Sequence, residues 1–269
     1  MTDAQRPVGI FDSGIGGLTV AYAVKQLLPN ENIIYFGDTA HFPYGDKSTA
    51  AIQSYAVKIT DMLLQHQCKV ILIACNSASS AAYQLVKEYA GSRAKVINVI
   101  DPIVRYVGGK YPNGKVGLIG TKKTVSSNVY QRKIDKLNKD ITLKALATPL
   151  LAPMIEEGYF NNAISESIIL NYLNDKSLDG IESLILGCTH YPLIKEQINN
   201  LYKGSVDVID SSDIVASAVK DYLASANLLN TDSEVSHKFY VSDYTQSFAE
   251  STRLFFRQEV HLERYPLWE

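Results

Sequence analysis

Short apolar runs nearly free of charge recur along the chain, each giving way to a segment whose apolar positions return at helical spacing. Residues 7–11, 33–36, 70–74, 95–99, 115–121, 142–146, 182–187, 206–209, 238–241 and 260–263 read as strands. Helical segments are expected at 18–28 and 49–66, through 81–86, from 101 onward, and at 124–138, 149–157, 161–173, 193–202, 211–224 and 246–257. In the second of these, Ile52, Tyr55, Ala56, Ile59 and Leu63 share one face. Glycine and proline clusters at 12–17, 37–45 and 108–114, and a polar loop at 228–236, separate the elements. Strands that are almost continuously apolar, alternating with helices, predict parallel sheets covered on both faces.

Two of the runs end alike. Residues 70–74 lead into Cys75-Asn76-Ser77, and residues 183–187 lead into Cys188-Thr189-His190. In each, a strand stops on a thiol, polar residues follow and a helix begins, with Asn76 and Ser77 offering N-cap chemistry at the first. Unpaired N–H groups at a helix N-terminus favour the anionic form of a thiol placed there. Taken singly, each cysteine reads as a packed core thiol, since free cysteine is among the most buried residue types. Two copies of one arrangement are harder to assign to packing. Cys68 precedes its strand, lacks the arrangement and is expected to be structural.

Ligands of open parallel sheets sit outside the carboxyl ends of the strands, so lobes facing each other by those ends would point both thiols into one space. The expected fold is α/β, with two similar doubly wound parallel-sheet lobes facing each other across a cleft. Residues 1–98 with 210–269 are expected to form the lobe carrying Asp12 and Cys75, and residues 99–209 the lobe carrying Cys188 and His190.

Composition narrows the function. The 269 residues suffice for a sizeable core, and a formal net charge of −2 offers no basic surface to nucleic acid and no polybasic patch to a membrane. No apolar segment reaches the roughly 18–20 residues that span a bilayer, and residues 1–7 lack the apolar core of a secretory signal. A cytoplasmic protein with reduced thiols is expected. Three cysteines without C-x-x-C spacing, and five scattered histidines, argue against a metal site and against thiol exchange.

Asp12-Ser13-Gly14-Ile15-Gly16-Gly17 resembles an anion cradle at a helix start, but its spacing is not that of a dinucleotide fingerprint, and Asp12 would repel a pyrophosphate. A small substrate bearing both an amine and a carboxylate suits it better. The plain alternative is an ordinary tight turn. For Ser77 and Thr121 the plain alternative is helix capping, for His190 it is a cap, and for Glu156 it is a solvated acid at a helix end.

Four motifs in order, at 11–19, at 37–39 with 43–45, at 74–77 and at 186–193, together resemble glutamate racemase, within the aspartate/glutamate racemase family. The resemblance implies interconversion of L- and D-glutamate without cofactor or metal, supplying D-glutamate for peptidoglycan. It implies two thiols on opposite faces of the α-carbon, Cys75 deprotonating D-glutamate and Cys188 deprotonating L-glutamate. Asp12 would assist Cys75 and the substrate ammonium; Glu156 and His190 would assist Cys188, with Glu157 as the neighbouring alternative to Glu156. Ser13, Tyr44, Gly45, Asn76, Ser77, Thr121, Thr189 and His190 would contact substrate. A homodimer is implied. An aspartate or hydantoin racemase of the same two-cysteine group is the nearest alternative. A binding protein that keeps the fold without the activity is another. Gyrase binding, reported for some members, has no support in this sequence.

Overall fold

Two parallel sheets carry the chain, and their strand ends converge. The structure, a computed structural model, describes residues 2–244 and 252–269. The strands are β1 (Val8–Asp12), β2 (Ile33–Gly37), β3 (Val70–Ile73), β4 (Lys95–Asn98), β5 (Lys115–Gly120), β6 (Thr142–Ala147), β7 (Ser183–Gly187), β8 (Asp207–Ile209), β9 (His237–Val241) and β10 (Leu262–Arg264). The larger sheet runs β10-β9-β2-β1-β3-β4 and the smaller β6-β5-β7-β8. Every pairing among the described residues is parallel.

The interior strands β1, β2, β3 and β7 are buried at every position, which explains their lack of hydrophobic alternation. Edge strand β4 opens on an exposed lysine, Lys95, and edge strand β6 is only partly buried. Register brings the ends level. Phe11 lies opposite both Phe36 and Ile73, and Gly120 lies opposite Gly187. Asp12 and Cys75 therefore stand on one rim, Thr121 and Cys188 on the other.

The helices are α1 (Leu18–Leu27), α2 (Thr49–Gln65), α3 (Asn76–Ala90), α4 (Ile100–Lys110), α5 (Lys122–Ser126), α6 (Val129–Asp135), α7 (Leu151–Glu156), α8 (Ala163–Leu173), α9 (Lys195–Tyr202) and α10 (Ser211–Ser225). The single helix expected over 124–138 is two, α5 and α6, broken where Asn128 takes a left-handed conformation at φ 52°. Asn tolerates that conformation better than most residues, and the Ser126-Ser127 pair before it competes for backbone hydrogen bonds. Asp210 caps α10 as expected, its side chain accepting from the Ser212 amide. Of the helix expected over 246–257, residues 252–256 are helical, and the part before 252 lies outside the described residues.

One hydrophobic cluster joins the two sheets. It runs from Val8, Ile10 and Leu72 through Leu18, Val20 and Val24 of α1, Ile103 and Val107 of α4, and Val215 and Val219 of α10, to Leu118, Leu184 and Ile185. A second cluster covers the other face of the larger sheet, where Ile52, Ile59 and Leu63 of α2 pack on Phe11, Ile71 and Ile73. At about 1.5–3 kcal/mol for each fully buried aliphatic side chain, the shared cluster holds the two rims opposite each other. Cys68 belongs to the second cluster, fully buried. It sits so close to Gly9 that a Cβ there would come 2.9 Å from its sulfur. Burial pushes the Cys68 thiol up to about 12, as suits a packing residue.

Candidate active site

β3 delivers Cys75 to the rim, and α3 begins on the next residue. The expected capping by Asn76 and Ser77 falls instead to the cysteine, whose sulfur accepts from the Ala78 amide at 3.4 Å. The sulfur in turn lies 3.6 Å from Ser13 Oγ, donating to it as a thiol and able to accept from its hydroxyl as a thiolate. Both contacts favour a thiolate, yet burial, with the Asp12 carboxylate nearby, outweighs them and pushes Cys75 up to about 12. The lowering anticipated from the helix N-terminus is present but is the smaller effect.

Cys188 follows β7 and is likewise buried, with its sulfur 3.8 Å from Nδ1 of His190. The other ring nitrogen, Nε2, is in contact with Glu156 Oε2 at the end of α7. Burial alone would lower the pKa of His190, but the Glu156 carboxylate and Cys188 overcome it and hold the ring well above its ordinary value. Glu157, the alternative acid, is exposed and closes α7 as its C-cap. The helix-end position expected for Glu156 is observed, but its carboxylate is largely buried rather than solvated.

Asp12 is fully buried and stands behind the cavity wall, accepting from the Gly14 amide at 3.0 Å and, across the lobes, from Thr189 Oγ1 at 3.3 Å. Burial raises its pKa, against the pull of His190 and of the Gly14 and Gly17 amides. The glycine-rich turn between β1 and α1 exists for close approach. A Cβ on Gly16 would stand 2.5 Å from the His190 ring, and one on Gly17 2.5 Å from Asp12 Cβ. Any side chain at either position would wedge the lobes apart or displace the carboxylate.

Two further bonds cross between lobes. Ser77 Oγ and Thr121 Oγ1 are 2.8 Å apart, while Thr121 also caps α5. Tyr130 of α6 donates to Asn76 Oδ1 at 2.8 Å, while the buried Nδ2 of Asn76 has no hydrogen-bond partner among the described residues. A buried amide donor without a partner costs about 1–3 kcal/mol, a cost that a substrate oxygen accepting from it would remove. The Tyr44 hydroxyl is committed to Asp38 at 2.6 Å, so this residue offers the cavity its ring and backbone rather than its O–H.

Both thiols line one cavity of about 320 Å³. Ser13, Tyr44, Gly45, Asn76, Ser77, Thr121, Thr189 and His190 line it with them. Asp12, expected to contact substrate as well as to assist Cys75, and Glu156, expected to assist Cys188, are held behind that lining. Phe42, Pro43, Ala152 and Gly187 complete the walls, and Phe42 and Phe255 pack about the His190 ring at 5.7 and 5.1 Å. Pro43 and Gly187 fall inside the motifs read from sequence, whereas Phe42, Ala152 and Tyr130 were not singled out. An apolar ring or a lone tyrosine carries no local signal of an active site. Among the described residues, no three His, Cys, Asp or Glu side chains gather as a metal cluster would. The cavity presents one cysteine sulfur from each lobe, an uncommitted amide donor and hydroxyls. That is a setting for moving a proton on a small anionic substrate.

The chain is similar to known proteins along most of its length. The family described as Asp/Glu/Hydantoin racemase matches residues 19–219. A glutamate racemase of Neisseria meningitidis is 42% identical over 91% of this chain and 90% of its own length. A glutamate racemase of Francisella tularensis, solved in complex with D-glutamate, superposes with a TM-score of 0.91 at 40% identity, covering 98% of this chain and 99% of that one. The glutamate racemase isoform RacE1 of Bacillus anthracis superposes at 0.92 with 31% identity, over 97% of this chain and 98% of that one. With these matches running through both sheets and both cysteine-bearing rims, the chain belongs to the Asp/Glu/Hydantoin racemase family.

Proposed function

We propose that this protein interconverts L- and D-glutamate by proton transfer between two thiols, supplying D-glutamate for peptidoglycan. The observation that carries the reading is one cavity lined by Cys75 from one sheet and Cys188 from the other. Relatives named glutamate racemase at 42% identity, and a solved relative holding D-glutamate, support the choice of substrate.

Inversion at the α-carbon needs two groups, because a single base returning its own proton to the same face restores the starting hand. As thiolate, Cys75 breaks the α-C–H bond of D-glutamate and takes the proton, leaving the electron pair delocalised into the carboxylate. The Cys188 S–H bond then breaks, and its proton is delivered to the far face. The product is L-glutamate, and the enzyme is left with Cys75 protonated and Cys188 as thiolate, ready for the reverse direction. A positioned base contributes roughly 10²–10⁴-fold, and donors aimed at the developing carboxylate charge must supply most of the rest. Asn76 Nδ2, with no other partner among the described residues, is such a donor.

The substrate's own ammonium is the cation that the Cys75 side lacks. A unit charge at about 4 Å is worth about 4 kcal/mol at an effective dielectric near 20, enough to offset much of the burial that raises this thiol. Cys188 stands instead beside a histidine that a carboxylate keeps protonated. Asp12 and Glu156 act through Cys75, Thr189 and His190 rather than by touching substrate.

No helix among the described residues is long and apolar enough to cross a membrane. We place the enzyme in the cytoplasm on its three free thiols, and as a homodimer on the apolar side chains Leu150, Tyr159, Ile164 and Leu170 exposed along 150–170.

Racemisation of L-glutamate in D₂O without added cofactor is expected to yield D-glutamate carrying deuterium at the α-carbon. Inverted product without deuterium, or faster turnover of aspartate than of glutamate, would overturn the reading. Replacing Cys75 or Cys188 with Ser is expected to lower kcat by at least about 10²-fold, while Cys68→Ser stays near wild type; full activity in either of the first two would falsify the two-thiol assignment. In the substrate-free enzyme, alkylation of Cys75 followed by peptide mass spectrometry should keep accelerating past about pH 10, where an ordinary thiol near 8.5 has levelled. The thiolate fraction grows with pH until the pKa is passed, so a plateau near pH 9 would show a thiol that is not buried in this way. Cell fractionation followed by sedimentation velocity should find a soluble enzyme at twice the mass of one chain; a monomer at micromolar concentration rules out the dimer.

A further inference from the structure

Asp38 follows β2 on the same rim as the thiol of Cys75, and it is fully buried. Donors from well-separated parts of the chain converge on its carboxylate. Tyr44 OH donates to Oδ2 at 2.6 Å, and Ser242 Oγ, just past β9, donates to Oδ1 at 2.9 Å. Trp268 Nε1 donates to Oδ1 at 2.9 Å, and Nδ1 of His41 is 3.0 Å from both oxygens. An ionised carboxylate only accepts, so His41 carries its proton on Nδ1 in this contact.

The segment that brings Trp268 here is tied to β9. β10 pairs with β9, and the Tyr265 amide donates to the Val241 carbonyl at 2.8 Å. The His41 ring stacks on Tyr55 of α2 at 4.0 Å and meets the Trp268 ring edge-on at 4.6 Å, while Lys58 Nζ lies 5.0 Å above the indole. The loop held in this way carries Tyr44 and Gly45 into the cavity wall. It also faces the other lobe, since a Cβ on Gly45 would come 2.9 Å from Thr121 Cβ.

We propose that Trp268 is a positioning residue for the reaction: by donating to Asp38 and packing on His41, the end of the chain sets the loop 38–46 that presents Tyr44 and Gly45 to substrate and to the opposite lobe. The assignment rests on the racemase reading. Substrate held in the cavity meets this loop and the Thr121 rim together, since Tyr44, Gly45 and Thr121 all line it. Trp268 stands behind the loop, bonded to the Asp38 carboxylate that also holds Tyr44.

Trp268 is the sole tryptophan of the chain, so intrinsic emission reports its surroundings alone. Titration of the wild-type enzyme with D-glutamate should shift that emission along a saturating curve. In Trp268→Ala, KM for D-glutamate should rise about tenfold, the scale of one hydrogen bond to a charged acceptor, with kcat changing less. Trp268→Phe keeps aromatic packing on His41, loses the N–H donor and should fall between. A lower melting temperature with unchanged KM would show a merely structural tail and overturn the proposal. If Trp268→Ala does not fold, flat wild-type emission together with a wild-type KM in Trp268→Phe overturns it equally. Those results with an active wild-type enzyme remove only the role of Trp268, whereas a wild-type enzyme inert toward glutamate removes the racemase reading and this one with it.

Discussion

A carboxylate with no access to water has to find its partners inside the protein, and Asp12 finds them in both lobes. One oxygen takes the Gly14 amide of its own turn and the other takes the Thr189 hydroxyl from across the cleft. Left unpaired, a buried carboxylate of this kind costs several kcal/mol or neutralises itself. The docking of one rim on the other therefore completes the surroundings of Asp12. The same docking brings the His190 ring against Gly16 and the two thiols to one cavity. The glycines of the turn are the steric half of this constraint, because any Cβ at Gly16 would occupy the place of His190.

The two thiols meet the cavity in unlike surroundings. Cys75 is contacted by a neutral amide and a neutral hydroxyl, with a carboxylate nearby that disfavours its ionisation. Cys188 is contacted by a histidine whose pKa is held well above its ordinary value, despite burial, by the Glu156 carboxylate and by Cys188 itself. In the proposed reaction the asymmetry makes physical sense. The substrate brings one cation of its own, which can serve one face of the α-carbon, and the protein supplies the other.

Much of the fold was legible in the sequence, because buried parallel strands leave a strong mark. The runs at 33–36 and 70–74 carry no charge and no alternation, as strands covered on both sides must, and both appear as strands of the larger sheet. The break at Asn128 was not legible, since its helical spacing continues across a residue whose left-handed conformation only the surrounding packing selects. Of the site, the cysteines could be read from their place at strand ends, and the remainder rested on motif resemblance. Tyr130, Phe42 and Phe255 escaped both routes. Each acts at the site only through a partner distant in sequence, and neither periodicity nor spacing encodes that distance.

Trp268 shows the same limit at its extreme. It lies 230 residues from Asp38 along the chain and within hydrogen-bond reach of it in space. Local composition and periodicity determined that this chain folds into parallel α/β layers and that two thiols stand at strand ends, because those properties depend on neighbours along the chain. Tertiary structure alone decided that the thiols share a cavity, that Glu156 rather than Glu157 reaches His190, and that burial, not the helix N-terminus, dominates at Cys75. Each of these turns on distances and solvent exclusion between segments far apart in sequence, which exist only once the two sheets have closed on each other.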